Sequence, residues 1–345
     1  MKRAEYWRKE GEKVICELCP HHCSLREGQS GICNVRIVSG GELMTLTYGN
    51  LMAMHADPIE KKPLFHFLPG SRSLSIATAG CNLQCVFCQN WSLSQVTHSP
   101  TDGISEKAVP PESIVEAARK QECASIAYTY SEPTIFFEYA RDTARLAHSR
   151  GIANIFVTNG YIESSPLQSL HGLLHAANVD LKAFSERTYR KIMGGELAPV
   201  LNALKQLITM GVWVEVTTLV IPTVNDSSEE LRDIARFIRE ELNEDTPWHV
   251  SRFHPDYQFG HIPPTPASTL RLAREIGLEE GLNHVYTGNL PGDPGETTYC
   301  QSCGRAVIKR TGFVVRRNML REGACPHCER PVPGVWSHSP APMTP

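Results

Sequence analysis

The chain has 345 residues, with 34 lysines and arginines, 37 aspartates and glutamates, and a net charge of -3. This balance excludes a globally basic surface for nucleic acid, and a hydrophobic content of 41% excludes a disordered chain. The first residues contain no apolar signal segment, and the longest apolar stretch, 212–221, is interrupted by Glu215 and is too short to span a membrane. We therefore expect a cytoplasmic globular protein that does not enter a membrane.

Twelve cysteines are the unusual feature of this composition. Eleven of them fall into three groups that contain C-x2-C or C-x3-C spacings, and Cys123 stands alone. A disulfide between cysteines so close in sequence is strained, whereas one tight turn can aim two sulfurs at the same metal. We therefore expect three metal sites and no disulfides, with Cys123 as an inert buried thiol.

The first group predicts a metal site in an N-terminal cysteine-rich segment, residues 1–70. Its members are Cys16, Cys19, Cys23 and Cys33. They could hold zinc, hold an iron–sulfur cluster or bind no metal, and His21 or His22 could replace one thiolate. The run Asp57–Gly70 at the end of this segment is expected to be a connector pressed against the following core.

Strands and helices alternate across residues 71–296, which we expect to form the core. The predicted strands are Leu74–Ala79, Ser125–Tyr130, Asn154–Thr158, Ala177–Leu181, Trp213–Val220, His249–Phe253 and His284–Leu290. The predicted helices are Ser113–Gln121, Thr134–Arg150, Ser164–Leu174, Ala198–Met210, Ser228–Leu242 and Ser268–Glu279. Successive β/α units require parallel strands, either in a barrel or in a doubly wound open sheet. Because no G-x-G-x-x-G follows the first strand, we favour an α/β fold with a partial (β/α)6 TIM-like barrel.

The third group predicts a small C-terminal module, residues 297–336, after a Pro- and Gly-rich linker. Cys300, Cys303, Cys325 and Cys328 form two C-x2-C pairs around a β-rich stretch, which is typical of a zinc ribbon. Zinc is favoured over iron there. Nearby basic residues could bind an acidic partner or RNA, or could simply face solvent: Arg305, Lys309, Arg310, Arg316, Arg317 and Arg321. Residues 337–345 are expected to be a disordered tail.

The central group, Cys81, Cys85 and Cys88, has the spacing C-x3-C-x2-C. Three thiolates can hold three iron atoms of a cubane [4Fe–4S] cluster, whose usual ligand set is four cysteines. The next cysteine, Cys123, lies beyond a predicted helix, so one iron would stay open. An open metal position is typical of a catalytic site. The alternatives are a zinc site completed by a remote histidine, or three buried thiols.

The segment GCNLQCVFCQN (Gly80–Asn90) resembles the signature of the radical S-adenosylmethionine superfamily. Six further segments resemble the branch that contains pyruvate formate-lyase activating enzymes, and within it the AmmeMemoRadiSam-system radical S-adenosylmethionine enzyme family. These segments are DPIEKKPLFHFLPG, YTYSEPT, VTNGY, NVDLKAF, IPTVND and SRFHPDY. The resemblance implies that an open iron binds S-adenosylmethionine, whose reductive cleavage gives a 5′-deoxyadenosyl radical that abstracts hydrogen from a substrate.

The same resemblance implies roles for individual residues. Cys81, Cys85 and Cys88 would be the cluster ligands, and Phe87 would lie beside the adenine. Glu132 would meet the amine of S-adenosylmethionine, in a loop where Tyr130 and Ser131 stand in place of the glycines of relatives. Asp180 and Lys182, two apart on one strand, would reach the ribose or carboxylate. The remaining candidate contacts to the cofactor follow strand ends: Ser131, Asn159, Asn225 and His254.

The function implied is a radical enzyme with an unknown substrate and a flavodoxin- or ferredoxin-type electron donor. It could activate a partner protein by making a glycyl radical, or modify a small molecule, protein or nucleic acid directly. The alternative class is a zinc-binding adaptor or scaffold without radical catalysis, against which the complete set of three central cysteines argues.

Overall fold

The computed structural model describes residues 1–95 and 108–337. The N-terminal strands are β1 (Lys2–Arg3), β2 (Trp7–Glu10), β3 (Lys13–Cys16), β4 (Ser24–Leu25), β5 (Arg36–Ser39) and β6 (Glu42–Thr45). They form two antiparallel three-stranded sheets, with the orders β2-β3-β4 and β1-β6-β5. The cysteine-rich segment therefore has its own small β structure, which places Cys16 at the end of β3.

The core is an eight-stranded sheet in which strands that are neighbours in the sequence are also neighbours in space. Its strands are β7 (Ala53–Pro58), β8 (Arg72–Ala77), β9 (Ser125–Tyr128), β10 (Ala153–Thr158), β11 (Ala176–Asp180), β12 (Trp213–Val220), β13 (Trp248–Arg252) and β14 (Val285–Gly288). The strands from β8 to β14 are parallel, and β7 pairs antiparallel with β8. The expected α/β class with a mostly parallel sheet is confirmed.

The helices lie between the strands, as the alternating pattern predicts. They are α1 (Trp91–Ser94), α2 (Pro111–Lys120), α3 (Phe137–Ser149), α4 (Ser164–Gln168), α5 (Glu186–Thr188), α6 (Leu197–Thr209), α7 (Ser228–Phe237) and α8 (Ala267–Glu279). Short 3-10 or π-helical segments are Ile59–Lys61, Pro133–Phe136, Tyr189–Met193, Ile238–Leu242, Tyr257–Phe259 and Pro294–Glu296. All seven predicted strands and six predicted helices are present, although α4 is shorter than expected.

Helix α7 shows how the sequence specifies these elements. The side chain of Ser227 accepts a hydrogen bond of 3.2 Å from the backbone N–H of Glu230, which caps the helix. Leu231 and Ile234 are three residues apart and both are completely buried. This spacing places one apolar face against the sheet and leaves the charged face in solvent.

The run Asp57–Gly70, predicted as a connector, is built into the core. Its first residues belong to β7, and Ile59, Leu64 and Phe67 are buried. The carboxylate of Glu215 on β12 accepts hydrogen bonds from the backbone N–H groups of Phe65 (2.9 Å) and His66 (2.8 Å). A buried carboxylate therefore fixes this segment beside the parallel strands.

The C-terminal module has three antiparallel strands, β15 (Thr298–Tyr299), β16 (Ala306–Thr311) and β17 (Val314–Asn318). It contacts the core through the backbone, because the backbone N–H of Leu68 donates a hydrogen bond of 2.7 Å to the carbonyl of Val335. The predicted tail, 337–345, lies outside the described residues apart from Ser337. Across residues 1–95 and 108–337, each helix is too short or too polar to cross a membrane.

Candidate active site and metal centres

A cavity of about 380 Å³ lies at the carboxyl ends of the parallel strands. Cys81, Cys85 and Cys88 line it from the loop that follows β8. Residues at or just beyond the ends of the other six parallel strands also line it, from Thr129 after β9 to Asn289 after β14. Side chains that are far apart in sequence meet here because all parallel strands end at the same edge of the sheet.

Polar groups contact the sulfurs of two of these cysteines. The sulfur of Cys81 is 3.4 Å from the backbone nitrogen of Leu83 and 3.7 Å from the amide nitrogen of Asn159. The sulfur of Cys88 is 3.1 Å from the hydroxyl of Ser94. Burial raises the pKa of Cys81, and it raises the pKa of Cys85 to about 12. Deprotonation of these buried thiols therefore needs a compensating positive charge, which bound metal supplies.

Six of the predicted contact residues line the same cavity, namely Phe87, Ser131, Glu132, Asn159, Asp180 and Lys182. The other two do not. Asn225 is completely buried, and its amide bonds to the backbone of Ile221 and to the carbonyls of Lys182 and Leu219. His254 is exposed and lies outside the cavity lining. The geometry gives Asn225 a structural role in this turn and gives His254 no contact with the cavity.

Glu132 is held rigidly by its neighbours. Its Oε1 atom accepts bonds from the backbone and hydroxyl of Thr134 (3.0 and 2.7 Å) and from the hydroxyl of Thr158 (2.7 Å). Its Oε2 atom accepts a bond of 2.8 Å from the backbone N–H of Asn159. Burial raises the pKa of Glu132, although these hydrogen bonds oppose the shift. Only Oε2 keeps accepting capacity for a further donor.

Asp180 and Lys182 form an ion pair of 2.8 Å at the end of β11. Burial opposes the charge of Lys182, but Asp180 and the sulfur of Cys85 outweigh burial and raise the pKa of Lys182. The ammonium group therefore stays charged beside the central cysteines. The two side chains are therefore paired with each other and also line the cavity.

Lys61 and Lys62 line the cavity too, although the sequence did not indicate them as site residues. Both ammonium groups pair with Asp57, at 2.9 and 2.7 Å, and the hydroxyl of Tyr130 also donates to Asp57. Tyr130 has a φ of 64°, in the left-handed region, at the position where relatives carry glycine. The i, i+4 spacing of Asp57 and Lys61 is the feature of the sequence that could have indicated this cluster. The cluster reaches the cavity because β7 pairs with β8.

Three buried polar atoms that line the cavity have no hydrogen-bond partner among the described residues. They are Ser131 Oγ, Thr217 Oγ1 and Gln89 Nε2. A buried polar group without a partner is costly, so such groups mark the place of a polar ligand. With Asp180 and Lys182 they make a lining that fits a zwitterionic molecule with ribose hydroxyls, next to thiolates that fit an iron–sulfur cluster.

Sequence comparison identifies the family. The model of the radical SAM superfamily matches residues 75–238, which contain the three central cysteines. An uncharacterised protein of Methanocaldococcus jannaschii, MJ0808, is 45% identical over 314 residues, which cover 91% of this chain and 92% of that protein. The chain belongs to the radical SAM superfamily. Membership implies a [4Fe–4S] cluster and S-adenosylmethionine, both of which the cavity lining accommodates.

More distant similarities agree with this assignment. The pyruvate formate-lyase-activating enzyme of Clostridium pasteurianum is 23% identical over 174 residues, which cover 50% of this chain and 71% of that enzyme. The solved structure of a radical SAM methyltransferase from Sphaerobacter thermophilus has a TM-score of 0.50 and 16% identity, over 67% of this chain and 71% of that one. The structural likeness concerns the fold alone.

The predicted C-terminal metal site of this radical SAM protein is present in the structure. The sulfurs of Cys300 and Cys328 are 3.6 Å apart, and those of Cys303 and Cys325 are 3.7 Å apart. All four lie within 4.8 Å of one another. Four thiolates at ~2.3 Å from one tetrahedral zinc ion would be about 3.8 Å apart, so this is the spacing of a single ion.

One basic residue of the C-terminal module was wrongly expected at its surface. Arg310 is 5% exposed, and it donates hydrogen bonds to Thr298 Oγ1 (2.8 Å) and to the carbonyl of Phe65 (2.7 Å). It also lies 3.8 Å from the buried carboxylate of Glu60. Its charge therefore serves the contact between module and core.

The four N-terminal cysteines line one small cavity of about 20 Å³. His21 also lines it, but its Nε2 contacts the carbonyl of Asn82 at 2.6 Å. His22 lies outside the lining and pairs instead with Glu163 at 2.9 Å. The cysteines alone therefore form the candidate ligand set.

Proposed function

We propose that this protein is an enzyme that cleaves S-adenosylmethionine reductively and uses the product to abstract hydrogen from a substrate. One observation carries the proposal: three cysteines, an ion pair and three polar atoms without a partner among the described residues line the same cavity at the carboxyl ends of the parallel strands. When bound, the cluster and S-adenosylmethionine supply an electron and a 5′-deoxyadenosyl radical.

The side chains of this cavity have separate roles in the proposal. Cys81, Cys85 and Cys88 hold the cluster, and Phe87, which is 3% exposed, packs beside the adenine. The polar contacts to S-adenosylmethionine come from Ser131, Glu132 Oε2, Asn159, Asp180 and Lys182. Because Thr134, Thr158 and Asn159 fix Glu132, its free accepting position is oriented before the cofactor binds.

Lys61 and Lys62 line the same cavity, and we assign them to the substrate. Lys62 is buried and paired, whereas the side chain of Lys61 is 42% exposed. An exposed ammonium group beside a fixed carboxylate can bind an anionic group without first breaking a buried pair. A flavodoxin- or ferredoxin-type donor would supply the electron from outside.

The sequence motifs support a finer assignment to the AmmeMemoRadiSam-system family, within the branch of pyruvate formate-lyase activating enzymes. The consecutive strand order from β8 to β14 supports a partial barrel, since a doubly wound sheet reverses its order. We retain the division at residues 70, 296 and 336, with β7 as a part of the first segment that joins the core sheet. Twelve free cysteines suit a reducing, cytoplasmic compartment.

Two roles remain within this function: activation of a partner protein by forming a glycyl radical, and direct modification of a small molecule, protein or nucleic acid. Both use the same cavity and the same radical. Deuterium transfer from a labelled substrate into 5′-deoxyadenosine distinguishes them, because the label reports which molecule lost hydrogen.

The proposed function is tested by anaerobic reconstitution with iron and sulfide, followed by reduction with dithionite in the presence of S-adenosylmethionine. The wild-type protein should be brown and should form 5′-deoxyadenosine, whereas Cys85→Ala should bind less iron and sulfide than wild type and form no 5′-deoxyadenosine. Cys123→Ala is the matched control, because Cys123 is buried but lies away from the cavity. A colourless wild-type protein that contains only zinc would favour the adaptor function, and full cleavage by Cys85→Ala would exclude the proposed cluster ligands.

A further inference from the structure

We propose that Cys16, Cys19, Cys23 and Cys33 hold a second iron–sulfur cluster, and that this cluster passes single electrons to the central site. The evidence is the spacing of the sulfurs, an unpartnered arginine nitrogen at the cavity, and direct contact with the central cysteine loop. The first two of these observations are independent of the central chemistry.

The N-terminal site is too wide for one tetrahedral ion. Among the described residues, only the four C-terminal cysteines bring three or more ligand atoms within 4.8 Å of one another. The four N-terminal cysteines instead line a cavity of about 20 Å³. Four thiolates at ~2.3 Å from one zinc ion leave no such space. A cluster with several iron and sulfide atoms fills it.

Arg36 has a buried N–H group for which the described residues provide no acceptor. The residue lines the cavity and is 2% exposed. Its Nη1 atom donates to the carboxylate of Glu138 at 2.9 and 3.1 Å, and its Nη2 atom donates to the carbonyl of Glu5. Its Nε has no partner in the described part of the chain. The sulfides and thiolates of an anionic cluster are acceptors for this N–H group, as hydrogen bonds to cluster sulfurs commonly are.

Apolar side chains line part of the site. Leu18 and Leu25 line it and are 1% and 6% exposed. Gly31 lies against the sulfurs, because a Cβ atom there would be 3.3 Å from Cys23 Sγ and 3.9 Å from Cys33 Sγ. The absence of a side chain at residue 31 keeps space beside these sulfurs for inorganic sulfide.

The N-terminal site and the central loop are in direct contact. A Cβ atom at Gly80 would be 2.7 Å from the carbonyl oxygen of Cys33, so the residue before Cys81 packs against a ligand of the other site. Asn82 lines the N-terminal cavity, and its side chain bonds to Asn159, which contacts the sulfur of Cys81. One short stretch of chain, residues 80–82, therefore joins both sets of cysteines.

This contact suits transfer of one electron. A reduced flavodoxin- or ferredoxin-type protein gives one electron to the second cluster, which passes the same electron to the oxidised central cluster. No bond forms or breaks in this transfer, and no proton is required. The relay rests on the proposed function, whereas the assignment of the metal site does not.

The metal site is tested in the full chain with Cys81, Cys85 and Cys88 all replaced by alanine. After anaerobic reconstitution, this triple variant should contain iron and acid-labile sulfide in equal amounts, about four of each for a cubane, and show the electron paramagnetic resonance of a reduced cluster. Adding Cys19→Ser and Cys23→Ser should remove iron and sulfide, whereas adding Cys123→Ala should not. Zinc without sulfide in the triple variant, or no metal beyond that of the C-terminal site, would overturn the assignment.

A second measurement covers the possibility that these variants do not fold. The wild-type protein should hold about eight iron atoms with equal sulfide, if both sites are cubanes, and should give two reduction steps in a potentiometric titration. One cluster per chain would contradict the proposal. The relay is tested separately in Cys19→Ser/Cys23→Ser: formation of 5′-deoxyadenosine should slow at least tenfold with flavodoxin as donor, but much less with dithionite. Equal rates with flavodoxin would exclude the relay, while absence of cleavage by the wild type with either donor would refute the proposed function instead.

Discussion

The ammonium group of Lys62 lies 2.7 Å from the carboxylate of Asp57, and the two side chains are 1% and 10% exposed. Burial lowers the pKa of Lys62 from 10.5 to about 8, because it opposes the charged form more strongly than Asp57 favours it. Asp57 keeps further partners in Lys61, Tyr130 and Ser75. Lys62 and Asp57 thus belong to one cluster, in which Lys62 holds its proton less strongly than an exposed lysine does.

This relationship predicts a dependence of stability on pH. Between pH 8 and 10.5, the unfolded chain binds a proton at Lys62 that the folded chain has released, so this residue makes stability rise with pH in that window. The difference in unfolding free energy between wild type and Lys62→Met should therefore grow in favour of wild type from pH 8 to 10.5. Urea unfolding at several pH values measures this difference. Lys205→Met, which replaces an exposed lysine, is the control. A constant difference would show that Lys62 keeps its ordinary pKa.

Binding of S-adenosylmethionine should depend on Lys182. Its ammonium group is charged, lines the cavity and is held by Asp180. Loss of a hydrogen bond to a charged group costs roughly 1–3 kcal/mol, so Lys182→Ala should weaken binding by that amount. Calorimetry of the reconstituted protein without reductant measures the dissociation constant. An affinity equal to that of wild type would remove Lys182 from the site, and Lys205→Ala controls for loss of a lysine elsewhere.

Gly80 should be sensitive to the smallest added side chain. Its φ is 97°, and a Cβ atom would be 2.7 Å from the carbonyl oxygen of Cys33. Gly292 has a similar φ of 87° but has no atom within 4 Å of the added Cβ. Both alanine variants should lose about 1–3 kcal/mol from backbone strain, and Gly80→Ala should lose more because it also displaces the N-terminal segment. Thermal unfolding of both variants compares them, and equal losses would mean that the contact with Cys33 costs nothing.

Local patterns in the sequence were sufficient for the elements and for the central cysteine loop. Hydrophobic runs identify β8 to β14. The sequence spacing of Cys81, Cys85 and Cys88 is by itself typical of cysteines that bind a metal. The parallel order also explains why Ser131, Asn159 and Asp180 meet, since residues after successive parallel strands reach one edge. These inferences need only neighbours in sequence and one topological rule.

The features that the sequence did not reveal depend on contacts between elements that are distant in sequence. Lys62 reaches the cavity because β7 pairs with β8 in the register Asp57↔Ser73, which no local period encodes. Arg310 looks like a surface residue within a basic stretch, yet it is buried because the module docks on Phe65. His254 follows a strand as the other candidates do, but its side chain is exposed. Direction and burial depend on packing between elements that are distant in sequence.

The C-terminal metal should serve folding and not radical chemistry. Four thiolates complete its coordination, and Val307, Ile308 and Val332 are too small a buried core to hold about 40 residues together without metal. Cys303→Ser should therefore make the chain beyond residue 297 sensitive to protease, while the iron and sulfide of the central site stay bound. When the module unfolds, the carbonyl of Phe65 loses its hydrogen bond from Arg310. Phe65 lies three residues after Lys62, which lines the cavity. Formation of 5′-deoxyadenosine without substrate is therefore the second measurement. Cys123→Ser serves as control. Loss of cleavage with a module that is still resistant to protease would contradict the structural role and indicate electron transfer through iron at this site.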